Sequence, residues 1–249
     1  MTRTTILEEL QDGVLLLTLN RPARRNAFND QQYDELRGAL ADAQDDDRIR
    51  VAVITGAAGA FSAGQDISEM GQGRGFTPFV DQLARFDKPL LAAVNGVAVG
   101  IGITMLPYCD IVYVAEGARL RAPFVALGLV PEAGSTLLLP QIIGPQRAAE
   151  VFFSTEWIDA RQAVALGLAA HCTAAEDLLP STLAKARVIA AQPLAALRQT
   201  KQLLLAARAD ALRSARARED TVQLSRLGSP ENLAAIRAFQ EKRGPRPEK

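Results

Sequence analysis

Ala92-Ala93-Val94-Asn95-Gly96-Val97-Ala98-Val99-Gly100-Ile101-Gly102-Ile103 decides how the rest of this chain is read. It starts as an apolar run of strand length, breaks at Asn95-Gly96, and then carries two glycines spaced Gly-x-Gly. Thr104-Met105-Leu106 continue it as an apolar, helix-compatible segment. A strand that passes through a glycine loop into a helix leaves the first N–H groups of that helix without acceptors. Such donors hold an anion, or an oxygen that turns negative during a reaction. A tight turn between two core elements would have the same sequence, because short glycine patterns are common.

The same unit occurs upstream. Val51-Ala52-Val53-Ile54-Thr55 reads as a strand buried on both faces, Gly56 and Gly59 break it, and Phe61-Ser62-Ala63-Gly64-Gln65-Asp66-Ile67 follows. A hairpin is expected over Leu7–Leu19, turning at Asp12-Gly13. Asn29 or Asp30 caps a helix carrying Tyr33, Leu36, Leu40 and Ala43, which stops at Asp45-Asp46-Asp47 because anions disfavour a helix C-terminus. Gly71-Gln72-Gly73-Arg74-Gly75 reads as a loop able to wall a pocket, followed by a helix from about Pro78 to Phe86. Ile111–Val114 and Arg119–Ala122 read as strands, Gln146–Phe153 as a helix, and Asp159 as the cap of another. Strands alternating with helices predict an α/β fold. From about Leu178 the composition shifts to Ala, Leu and Arg at helical spacing, with breaks at Pro193, Asp210 and Gly228-Ser229-Pro230. We divide the chain into a core, residues 1–190, and a helical segment, residues 191–249.

The bulk numbers exclude several classes. Lys and Arg total 28 and Asp and Glu total 28, so no global charge favours nucleic acid or a membrane surface. The 249 residues suffice for a self-contained core without staples. Cys109 and Cys172 form no CxxC pair, and neither a disulfide framework nor a metal site is visible. The start of the chain lacks the apolar segment of a signal peptide, and a cytoplasmic location is expected. His171 is the single histidine, with no nucleophile elbow to match it, and reads as a surface or core residue.

Over nearly its whole length the sequence resembles the crotonase superfamily of enoyl-CoA hydratases and isomerases. The resemblance is carried by Asn20-Arg21-Pro22 with Arg25-Asn26-Ala27, by Phe61–Ile67, and by Lys88-Pro89 with Ala92–Gly102 and Cys109-Asp110-Ile111. Leu127-Gly128-Leu129-Val130-Pro131-Glu132 and Ala165-Leu166-Gly167-Leu168 complete the set in the same order. It implies a spiral of repeated ββα turns, C-terminal helices used in trimerisation, and a homotrimer or homohexamer. It implies an acyl-CoA thioester substrate and no separate cofactor, since coenzyme A is part of that substrate. The thioester oxygen would rest on the backbone N–H groups of Gln65 and Ile101. Ile101 replaces the middle glycine usual there, yet it keeps the N–H and the flanking Gly100 and Gly102.

The two glutamates with which the family hydrates enoyl-CoA map to Thr104 and Phe124, and neither is a carboxylate. Thr104 can hold a water; Phe124 cannot transfer a proton. A carboxylate stands at Glu132, where several isomerases of the family carry their base, and an apolar surrounding of Phe124, Leu129 and Val130 would raise its pKa. The same Glu132 also reads as an anion in the first turn of a helix opened by Pro131. The resemblance further assigns substrate binding to Arg24 and Arg25, to Ala63, Asp66 and Ile67, and to Phe239 and Lys242, the last two reaching coenzyme A on an adjacent subunit. The expected activity is an enoyl-CoA isomerase. A hydratase or dehydratase, and a weakly catalytic acyl-CoA-binding protein, are the alternatives.

Overall fold

The computed structural model describes residues 3–69 and 74–241, so most of the loop expected over Gly71–Gly75 lies outside the described residues. The order is β1 (Ile6–Gln11), β2 (Val14–Leu19), α1 (Asp30–Asp45), β3 (Val51–Gly56), α2 (Phe76–Arg85), β4 (Leu90–Val94), β5 (Val97–Val99), α3 (Ile101–Thr104), β6 (Ile111–Ala115) and β7 (Arg119–Arg121). Then come α4 (Ser135–Ile143), α5 (Pro145–Ser154), β8 (Ile158–Asp159), α6 (Ala160–Leu166), β9 (His171–Thr173), α7 (Ala175–Ala190), α8 (Leu194–Ala206), α9 (Ala209–Arg226) and α10 (Pro230–Glu241).

One sheet has the order β1-β2-β3-β4-β6-β9; β1 and β2 are the expected antiparallel hairpin, and every later pair is parallel. A second sheet has the order β5-β7-β8 and is extended by single parallel bridges, Ser62 to Ala98 and Phe28 to Gln65. Successive turns of chain therefore add a strand to the first sheet, cross to the second, and return. This is the ββα spiral.

Strand alternation sorts the apolar residues into two cores. Leu15, Leu17, Ala52, Ile54 and Ala92 face α1, α2 and the second sheet. Val14, Leu16, Val51, Val53, Leu91 and Ala93 face the opposite side, where Leu178, Ala186 and Ala190 of α7 cover them. Strands buried on both faces are continuous apolar runs, which is why they were legible in the sequence.

Buried charges lock the elements together. Lys88, fully buried, donates to the carbonyls of Ala43, Asp46 and Ile49 at 2.7, 2.8 and 2.8 Å and so closes the C-terminus of α1. Lys201 of α8 donates to Asp110 at 2.7 Å, and the same carboxylate oxygen accepts the Leu90 N–H at 2.7 Å. Asn29 caps α1 by accepting the Gln32 N–H, and Asp159 caps α6 in a capping box with Gln162.

Three expectations need correction. Pro131 does not open a helix: Ala133 and Gly134 take left-handed φ of 60° and 71°, and α4 starts only at Ser135. The helix expected from Pro78 begins at Phe76 and ends at Arg85. Asp210 is not a break but lies in the first turn of α9, where its charge suits the helix dipole. His171 is exposed on β9, with its ring 4.4 Å from that of Tyr113.

Candidate active site

Two glycine loops meet at the crossing between the sheets. Ser62 donates its N–H to Val97 O at 2.9 Å and accepts the Val99 N–H at 3.0 Å. Its hydroxyl donates to Asn26 O at 2.9 Å and accepts the Gly64 N–H at 3.1 Å. A Cβ at Gly64 would stand 2.8 Å from Val99 O, and one at Gly100 would stand 3.8 Å from the Gly64 Cα. Both glycines have positive φ, 89° and 55°, which disfavours a side chain at either, and at Gly64 the close approach of Val99 O excludes one as well.

On this crossing Gln65 is bridged to Phe28 through Phe28 N–H to Gly64 O and Asp66 N–H to Phe28 O, which turns the Gln65 N–H the other way. Ile101 is the first residue of α3, where an N–H has no intrahelical acceptor. Among the described residues neither N–H has a protein acceptor. The Ile101 side chain is fully buried in the main core, so its bulk points inward.

Glu132 lies on the turn before α4, whose Ser135 N–H returns to Glu132 O at 3.1 Å. Its carboxylate is half-buried and has no hydrogen-bond partner among the described residues. Burial, with the charges of Glu219 and Asp220 behind it, raises its pKa to about 8. Tyr33 connects it to the crossing. The buried phenol donates to Gln65 Oε1 at 2.8 Å, and its pKa stands well above the usual 10 because of burial and the charges of Glu132 and Asp30. Glu132 is thus coupled electrostatically to the phenol that holds the Gln65 side chain.

Thr104 is buried with its hydroxyl unpartnered among the described residues, and so is Ser135. Phe124 is buried before the short helical turn Val125–Leu127. A cleft of about 580 Å³ is lined by Asp81, Arg85, Leu212 and Arg216 but by none of Gln65, Ile101 or Glu132.

The enoyl-CoA hydratase/isomerase family model matches residues 9–249. The chain belongs to that family. It is 35% identical to 1,2-epoxyphenylacetyl-CoA isomerase of Escherichia coli K12, over 96% of this chain and 97% of the relative. It is 37% identical to 2,3-dehydroadipyl-CoA hydratase of the same organism, over 94% and 95%. The crystal structure of an enoyl-CoA hydratase/isomerase from Pseudoalteromonas atlantica T6c superposes with a TM-score of 0.93 at 33% identity, covering 98% of this chain and 99% of that one. Enoyl-CoA hydratase/isomerase relatives thus include both chemistries, and the side chains of the site must separate them.

In this hydratase/isomerase chain Arg24, Arg25, Ala63, Asp66 and Ile67 lie on neighbouring turns. Arg24 and Arg25 are exposed on the turn after Pro22, and Arg25 O accepts the Ala63 N–H at 2.9 Å. Asp66 is a brace: it pairs with Arg21 at 3.2 Å and accepts from the Ser68 hydroxyl at 2.7 Å. Against the upward push of burial, those Ser68 bonds and the charges of Arg21 and Arg24 hold its carboxyl below the usual range. Ile67 opens a short helical turn, Ile67–Glu69. Phe239 lies in α10 with its side chain outside the described part, and Lys242 falls outside the described residues altogether. Sequence reasoning missed Tyr33, which reads as part of an apolar helix stripe, and Glu219, which sits 85 residues beyond Gly134 in a run of charges.

Proposed function

We propose that this enzyme is an enoyl-CoA isomerase that moves a double bond from C3 to C2 of an acyl-CoA thioester. Glu132 takes a proton from C2, leaving an enolate whose negative oxygen rests on the N–H groups of Gln65 and Ile101. The same carboxyl returns the proton to C4, so the 2-enoyl thioester forms with no net gain or loss of atoms. Losing one such oxygen donor typically costs about 2.7–4 kcal/mol of barrier stabilisation. The observation that carries this reading is Glu132 itself: a half-buried carboxylate without hydrogen-bond donors among the described residues, raised to about 8 and coupled electrostatically to the Tyr33 that holds Gln65. A base with a pKa so raised is better matched to carbon acids and still deprotonated in mildly alkaline solution. Coenzyme A enters with the substrate, and the chemistry needs no further cofactor.

One observation favours a hydratase instead. The buried, unpartnered Thr104 hydroxyl suits a held water. Phe124, however, offers no proton at the second position. Ultraviolet absorbance separates the two readings: a 3-enoyl-CoA gaining thioester conjugation supports isomerisation, and crotonyl-CoA losing it supports hydration. Coenzyme A binding with neither change would favour a binding protein. Glu132→Gln should abolish isomerisation while the protein stays folded; unchanged turnover would rule the base assignment out.

Assembly follows the same reasoning. Leu203, Leu204 and Leu224 of α8 and α9 are 74%, 66% and 75% exposed, which supports a homotrimer or homohexamer covering them. Sedimentation of the purified chain as a monomer would exclude both.

A further inference from the structure

We propose that Glu219 is the positioning residue for Glu132, closing the Glu132–Ala133–Gly134 turn against the start of α4 and so setting where the base stands. The inference rests on Glu132 being that base. One face of α9 runs along the loop that carries Glu132. Leu212, Arg216, Glu219, Gln223 and Arg226 recur at helical spacing. Arg226 donates to Gly128 O at 3.1 Å, and Gln223 Oε1 accepts the Val130 N–H at 3.2 Å. A Cβ at Gly134 would stand 2.3 Å from Leu212 Cδ1 and 3.2 Å from Arg216 Cγ, so the helix rests directly on the turn.

Glu219 is the buried charge in that row, 5% exposed. One carboxylate oxygen accepts the Gly134 N–H at 2.5 Å, and the other accepts the Thr136 N–H at 2.8 Å and the Thr136 hydroxyl at 2.5 Å. Gly134 has no side chain with which to cap α4, and Glu219 supplies the cap from another helix. Tyr108 holds the same turn from below by donating to Ala133 O at 2.6 Å.

The two carboxylates are thereby given different work. Burial pushes the Glu219 carboxyl up and the Gly134 and Thr136 donors pull it back, whereas Glu132 has no such donors and feels the charge of Glu219. The charged and titratable groups around the turn are Glu219 and Asp220 from α9, Tyr33 from α1, and Tyr108 with Arg216 beside it.

The experiment compares the full-length wild-type chain with Glu219→Gln, Glu132→Gln and the double variant, measuring kcat and KM for a 3-enoyl-CoA across pH. Glutamine at 219 keeps an acceptor for Thr136, places an amide nitrogen against the Gly134 N–H, and removes the charge. The ascending limb of kcat/KM should move to lower pH by about half a unit or more, and kcat on the plateau should fall about tenfold with KM within about twofold. The double variant should match Glu132→Gln. A folded Glu219→Gln protein whose limb and kcat are those of wild type overturns the proposal, provided Glu132→Gln is inactive. Activity persisting in Glu132→Gln overturns the base reading instead, and the proposal with it. If Glu219→Gln does not fold, Thr136→Val decides: a fall in kcat at constant KM supports the proposal, and wild-type kinetics overturn it.

Discussion

Glu132 stores a conflict between stability and chemistry that a single substitution can expose. Its pKa in the fold, about 8, lies above the ordinary 4.5. As pH rises between those values, the unfolded chain releases a proton that the folded chain keeps, so stability falls; above about 8 the penalty is complete. The full shift corresponds to about 4–5 kcal/mol, which relaxation around a half-buried group reduces to about 2 kcal/mol. Glu132→Gln should therefore change the denaturation midpoint little near pH 5 and raise stability by about 2 kcal/mol near pH 9. Urea titrations at the two values check it, and an equal effect at both would show that the carboxyl is not desolvated. Much of what motivates the role proposed for this residue was legible: an acid in an apolar stretch, without the two glutamates of a hydratase. Its second partner was not. Arg216-Ala217-Arg218-Glu219-Asp220 reads as a solvated charge run, and only the docking of α9 buries one member of it.

At the scale of elements, local rules explain the strands and most helix ends, and tertiary contacts explain the exceptions. Asn29 and Asp159 announce their helices because caps are local. The start of α4 was misread because Pro131-Glu132 imitates a helix opening, whereas Ala133 holds a left-handed conformation that no alanine advertises. Gly134 is the sharper test. Gly134→Ala would set a methyl 2.3 Å from Leu212 Cδ1 at a positive φ, so the Leu212 side chain must swing aside and the backbone is strained. We expect a loss of about 2 kcal/mol and a larger fall in kcat than in stability, read by thermal melting beside turnover. Lys88 tests the opposite kind of element end. Lys88→Met takes the ammonium donor away from the carbonyls of Ala43, Asp46 and Ile49, of which Asp46 O keeps the Ile49 N–H, and should cost about 3 kcal/mol, lowering Tm by about 6–12 °C. Turnover of the folded fraction should be unchanged, since Lys88 touches none of Gln65, Ile101 or Glu132.

For the whole molecule, the two buried clusters show which part of the chain makes the core and which part finishes the site. Every buried member of both clusters comes from Ile6 to Ala190, except Leu212. The helices α8 to α10 add pins rather than core: Lys201 to Asp110, Arg198 to Asp87 at 2.8 Å, and the α9 row over the Glu132 turn. A chain ending after Arg208 keeps α8 and its pins but loses Glu219, Gln223, Arg226 and the Asn232 bond to Leu127 O at 2.7 Å. Losing Leu212 burial and the cap of α4 should cost about 3–5 kcal/mol, which leaves the α/β spiral folded. The truncated chain is therefore expected to retain a cooperative, lower-temperature melt and the strand signal in far-ultraviolet circular dichroism, with the proposed turnover of a 3-enoyl-CoA gone. Loss of all cooperative structure would mean that the C-terminal helices are part of the core after all. Retained activity would mean that Glu132 finds its place without them, and the closing of its turn by α9 would lose its function.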